Sequence, residues 1–189
     1  MKGVVFVLFE EFVVRNWGEA TFEQLLDDCP HAAAEPFVSP KTYPDQWIVD
    51  LLTAACKRLA VAPEDALRAF GKFCFPGLAK RFPAFVKGMD SPRHLIESVN
   101  GIIHVEVRKL MDGAEPPSLL CQPVADDPNA IDVHYESRRG LCALMSGLLD
   151  GCAEHFSVPF QHTHTCCKQR GEPRCTFRVT FPALVPVHP

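Results

Sequence analysis

The chain has 189 residues, 47% of them apolar, which suits one domain with a sizeable core. Its formal charge of −4, with no Lys/Arg block, argues against a nucleic-acid surface or an anionic-membrane patch. No run approaches the ~20 apolar residues of a membrane span, and the starting run MKGVVFVLF meets Glu10 and Glu11 with no small-residue cleavage site after it, so a signal peptide is rejected and a cytoplasmic protein expected.

The first half reads helical. Val4–Val14 is apolar, Phe22–Leu26 is a short amphipathic piece, and residues 30–44 are a Pro-rich connection. From Gln46 onward, Trp47, Ile48, Leu51, Leu52, Ala55, Cys56 and Leu59 recur at three- and four-residue steps, as on a helix with one buried stripe. Pro63, Glu64 and Asp65 open another helix, with acids in its first turn. Residues 69–88 then hold Phe70, Phe73, Phe75, Phe82 and Phe85, a density that either makes a core or walls an apolar cavity.

Residues 91–111 read as one helix, capped by Ser91, with Pro92 in its first turn and Ile96, Val99, Ile103 and Leu110 along a stripe. Gly113 and the Pro116-Pro117 pair stop it. The period then changes to two: residues 118–124 and 131–137 read as strands, Arg139–His155 as a helix, and 160–166 and 175–181 as a last pair of strands. Helices followed by an antiparallel sheet make an α+β chain.

Three features bear on chemistry. In the segment DVHYESRRGLC, Tyr135, Ser137 and Arg139 share one face of an extended strand, ~6.6–6.8 Å apart per step. Two hydroxyls and a guanidinium with no acidic partner of their own suit a cradle for carboxylates or phosphates; spacing alone equally allows the solvated face of an edge strand. His104 lies within the 91–111 helix on a face with Val107 and Met111, and its ring leans over the Asn100-Gly101 gap. Such a histidine is either a satisfied core residue or a ligand. Together, a lone imidazole on an apolar helix, a Phe-rich wall and an anion-gripping strand suit a b-type haem: an axial ligand, a flat apolar pocket and anchors for two propionates.

The third feature is HTHTCCKQRGEPRC, residues 162–175. His164-x2-Cys167, then x7 and Cys175, has the spacing of a structural zinc site, and Cys142 can supply a fourth ligand. Cys166 and His162 compete for the role, and a buried cysteine cluster without metal is the plain alternative. Cys29, Cys56, Cys74, Cys121 and Cys152 are taken as core. The chain has no Gly-rich nucleotide loop and no defensible Ser–His–acid spacing, so it is not expected to be an enzyme.

With its MKG start, its GIIHVEVRKLMDGAEPP segment and its YESRRG motif, nearly the whole chain resembles the H-NOX family, the haem–nitric oxide/oxygen-binding domains that include the haem sensor of soluble guanylate cyclase. The resemblance implies a single haem domain over residues 1–183, with 184–189 as a tail. A helical subdomain (1–62) would pack on a second (63–183) holding the ligating helix and a four-stranded antiparallel sheet, with haem b between them. It makes His104 the proximal iron ligand, Tyr135, Ser137 and Arg139 the propionate anchors, and Pro117 the residue that presses on the porphyrin.

Oxygen-binding members place a distal Tyr five residues after the motif Arg, where this chain has Leu144. The family's distal Trp and Asn positions correspond to Phe9 and Cys74. A pocket of Val5, Phe9, Phe73 or Cys74, and Leu144 lacks a donor for bound oxygen, so the implied function is sensing of NO, and binding of CO, with exclusion of O2. NO would sever the Fe–His104 bond and free the helix, signalling in trans to a histidine kinase or a cyclic-di-GMP synthase or phosphodiesterase. Some members also carry one structural zinc, here implied at Cys142, His164, Cys167 and Cys175. The alternative is a thiol redox sensor in which that cluster is the main switch.

Overall fold

The apolar run after Lys2 folds as α1 (Gly3–Trp17) in a computed structural model that describes residues 1–183. The tail expected over 184–189 lies outside the described residues. α1 has no side-chain N-cap; the Pro-rich connection meets its first free N–H groups, with Gly3 donating to the Lys41 carbonyl at 2.7 Å and Val4 to that of Ser39 at 3.1 Å. Three helices complete the first half: α2 (Glu19–Asp28), α3 (Asp45–Leu59) and α4 (Pro63–Arg81). Phe6, Leu8, Leu25, Leu51 and Phe70 are sealed into their common core, where Phe6 stacks on Phe37 at 4.7 Å.

The helix expected over 91–111 is in three pieces. α5 (Pro92–Ser98) begins at the Ser91 cap, whose hydroxyl accepts the His94 N–H at 3.2 Å. A wider π-type turn over Val99–Ile103 follows, and α6 (His104–Leu110) completes it. This corrects the expected stripe: Leu110 is 70% exposed, and Val107 and Met111 face inward instead.

Four strands form one antiparallel sheet in the order β1-β2-β4-β3: β1 (Ser118–Val124), β2 (Asp127–Glu136), β3 (Gln161–Cys166) and β4 (Cys175–Thr180). The inward face, with Leu119, Ile131, Val133, Tyr135, Phe177 and Val179, forms a second core with α5 and α7 (Cys142–Phe156). Tyr135 pairs with Leu119 on one side and Cys175 on the other.

α7 begins three residues later than expected. Gly140 takes a left-handed φ of 65°, and its carbonyl accepts the Gln169 side-chain N–H at 2.7 Å, so Arg139 stays in a turn outside the helix. α7 crosses α4 with the backbones touching: a Cβ on Gly147 would lie 2.0 Å from the Arg68 carbonyl oxygen. α4 thus belongs to both cores, giving Phe70 and Cys74 to the first and packing Phe75 against the second.

Candidate functional site

Where the two cores meet, a cavity of about 350 Å³ opens between α1, α4, the segmented helix, β2 and α7. Its wall is mostly apolar, with Val5 from α1, Leu78 and Phe82 at and beyond the end of α4, and Leu144 and Leu148 from α7. Polar residues line it at Lys2, His104, Glu115, Tyr135, Ser137 and Arg139. The expected imidazole and the expected three-residue ladder therefore share one chamber with Pro117.

His104 is held neutral at pH 7. Burial pushes its pKa down to about 4, with Arg108 adding to the effect and the Pro117 carbonyl opposing it. Its Nδ1 is buried with no aligned hydrogen-bond partner, the Pro117 carbonyl being the backbone group that acts on the ring, so the imidazole keeps a nitrogen for a ligand role. A neutral imidazole with unspent capacity is the form that coordinates a metal. The ring does not lie over Gly101, as the sequence suggested; Gly101 turns to a separate groove beside β1.

The ladder is not free of acids. Arg139 Nε lies 2.8 Å from Asp45 Oδ2, a charge contact without hydrogen-bond alignment, while Nη1 donates to the Glu115 carbonyl at 2.7 Å. Burial works to raise the Asp45 pKa, but the hydrogen bond from the Met1 ammonium and the positive charge of Arg139 outweigh it and hold the carboxyl below its usual range. Asp45 sits at the start of α3, so this ion pair ties the helical half to the ladder. The Arg139 N–H donates to Ser137 Oγ at 3.2 Å, and burial raises the Tyr135 pKa against a hydrogen bond with Ser137. Tyr135 thus remains a protonated donor, and the three side chains form a compact cradle for anions.

The second feature also comes together. The ligating atoms of Cys142, His164, Cys167 and Cys175 all lie within 4.8 Å of one another, with Cys142 Sγ 3.9 Å from Cys167 Sγ. A shift in the β3–β4 register between His164 and Cys166 breaks the alternation just before Cys167. His164 Nε2 is buried without a partner, as expected where a ligand completes the site. The competing His162 is occupied elsewhere, its Nε2 2.8 Å from Asp150 Oδ1.

The Haem-NO-binding family model matches residues 2–164. This chain belongs to the H-NOX family. Its fold is the H-NOX fold: an H-NOX protein from S. oneidensis in the Fe(II)NO ligation state is 31% identical over 96% of this chain and 99% of that one, with a TM-score of 0.90. A variant of the S. oneidensis protein in the Fe(II) ligation state is 30% identical over the whole of both chains, with a TM-score of 0.92. The Fe(II) unliganded H-NOX protein from K. algicida, 22% identical, shares the fold over both full chains at a TM-score of 0.85.

H-NOX domains are haem-based gas sensors. The chemistry of this cavity fits haem: a neutral nitrogen donor, an apolar chamber and a cationic, hydroxylated rim. The distal wall of this H-NOX chain differs from the sequence expectation. Val5 and Leu144 line the cavity; Phe9, Phe73 and Cys74 do not. Phe9 is 1% exposed and meets Phe70 edge to face at 5.3 Å, Phe73 packs with Phe12 at 5.4 Å, and Cys74 is sealed in the same core. The phase of α4 decides this, since Phe75, Leu78 and Phe82, at i, i+3 and i+7, share the stripe that faces the cavity. Composition located the Phe-rich segment, but only the helix phase divides it between core and cavity. Among the described residues no helix is long and apolar enough to cross a membrane.

Proposed function

We propose that this chain is a ferrous-haem sensor of NO that excludes O2 and signals in trans. The observation that supports it best is the coincidence, in one apolar chamber, of the neutral His104 with the Tyr135–Ser137–Arg139 cradle. Bound through His104, haem b supplies the iron at which a diatomic gas binds. Tyr135, Ser137 and Arg139 would hold its carboxylates, with Pro117 lining the same chamber.

Gas selectivity follows from donors. Bound O2 is helped by a hydrogen-bond donor, whereas NO binds ferrous haem without one. Of the chain's two tyrosines, Tyr135 belongs to the ladder, and the Tyr43 hydroxyl accepts the Val38 N–H at 3.0 Å and donates to the Pro36 carbonyl at 3.3 Å. Lys2 is spent on the Thr42 hydroxyl and on the carbonyls of Pro40 and Asp112. Leu144 stands where an oxygen-binding member has its tyrosine. The output is release of His104 and movement of the helix that carries it, read by a histidine kinase or a cyclic-di-GMP synthase or phosphodiesterase. Ferrous protein in air should give no oxy spectrum, while NO should give the Soret band of haem that has lost its protein ligand; a stable oxy spectrum overturns the reading.

The Cys142–His164–Cys167–Cys175 cluster supports a second site, one structural Zn held by three thiolates and an imidazole. Because Cys175 pairs with Tyr135 and Cys142 follows Arg139 by three residues, zinc there would brace the cradle. Loss of metal on thiol oxidation would then loosen it, which is the redox alternative. His104→Ala should abolish the gas response and spare an oxidant response; Cys167→Ser should do the reverse.

A further inference from the structure

Between α5 and α6 the helix is wound one residue too wide. The His104 N–H donates to the Val99 carbonyl, five residues back, where an α-helix would use Asn100. On an unbroken α-helix His104 stands about 140° around the axis from Val99, five steps of about 100° less one turn. A turn that absorbs one residue removes about 100° and leaves the two roughly 40° apart. The wide turn is therefore what aims His104 into the chamber that Val99 also lines.

The sequence of this segment holds two apolar stripes. Ile103 and Leu110 continue the line of Ile96 and Val99 if the helix is regular; Val107 and Met111 continue it if one residue is looped out before His104. The structure uses the second register, and Leu110 is 70% exposed in consequence. Little fixes that choice. None of Val99–Ile103 is fully buried, Ile102 is 55% exposed, and a Cβ on Gly101 would meet no atom within 4 Å. Val99 and Ile103 pack, half-buried, against the second core, and one side-chain hydrogen bond ties the turn to the sheet: Asn100 Oδ1 accepts the Leu119 N–H at 3.2 Å.

We propose that Asn100 is a positioning residue for His104, and that the 99–103 turn is a one-residue register switch, wide while the imidazole is held by iron and closing to α when it is released. Closure turns α6 by about 100°, bringing Leu110 inward and Val107 outward. The imidazole bond and the Asn100 bond both favour the wide form, so removing either shifts the balance toward the closed one. The inference rests on His104 being the iron ligand.

Labelled CO complexes of the wild type and His104→Ala provide the test, read by NMR coupling across the hydrogen bond from the residue-104 amide nitrogen. The wild type should couple to the Val99 carbonyl carbon and the variant to that of Asn100. The same partner in both overturns the switch. An unchanged ferrous absorption spectrum in His104→Ala instead overturns the ligand assignment, which keeps the two failures apart. Should that variant not take up haem, Asn100→Ala decides. One hydrogen bond is worth about fivefold in the ratio of the two forms, so its ferrous iron–histidine Raman band should move to lower frequency. Asn100→Asp, which keeps the acceptor, should leave the band in place; a band equally unmoved in Asn100→Ala overturns the role of Asn100.

Discussion

Acid should destabilise the haem-free chain through His104. Burial, helped by Arg108 and opposed by the Pro117 carbonyl, holds the folded-state pKa near about 4 against an ordinary 6.5. The unfolded chain binds this proton more tightly, so the contribution is complete above about pH 6.5, falls as pH drops, and is lost below about pH 4. The gap between the two values corresponds to about 3 kcal/mol, most of it gone by about pH 4.5. Urea unfolding of wild type and His104→Gln from about pH 7 to about pH 4.5 isolates the effect, because His134 and His164, whose pKa values burial also lowers, contribute equally to both. The wild type should lose the larger amount by about that margin; parallel losses would refute the claim that a neutral imidazole is sealed at the cavity wall. In the haem-loaded protein the fall should be steeper, since a protonated imidazole has no lone pair for iron.

Arg139→Leu removes the guanidinium from the cradle and leaves Asp45 without it; with charged hydrogen bonds worth about 1.5–3 kcal/mol, haem transfer to an acceptor apoprotein should quicken roughly 10- to 150-fold. Leu144→Tyr places a hydroxyl on the apolar wall and should make an oxy spectrum appear in air, where the parent shows none. Cys175→Ser should take zinc from one per chain to none by metal analysis, and because Cys175 pairs with Tyr135, it should also lower the melting temperature of the haem-loaded protein.

What could be read from the sequence is what lies close together in it. Tyr135, Ser137 and Arg139 fall within five residues, and His164, Cys167 and Cys175 within twelve, so proximity nominates them, although β2 ends at Glu136 and a turn, not strand alternation, brings Ser137 and Arg139 to the chamber. The partners of these groups come from far along the chain and leave no local signal. Asp45 reaches Arg139 across 94 positions, which is why the ladder read as free of acids. The cavity wall is hard to read for another reason: Phe9, Phe73 and Cys74 are apolar and near the right place, but helix phase turns them into the neighbouring core. The insertion before His104 was hidden by the two overlapping stripes, either of which a regular helix pattern accepts.

The most direct trial of this account is the absorption spectrum of the ferrous protein before and after NO, set beside that of His104→Ala. The account predicts a wild-type spectrum of histidine-ligated haem that NO converts to one without a protein ligand, and a variant that either fails to retain haem or lacks the histidine signature from the start. A variant whose ferrous spectrum matches the wild type, or a purified wild type that stays colourless with added hemin, contradicts it.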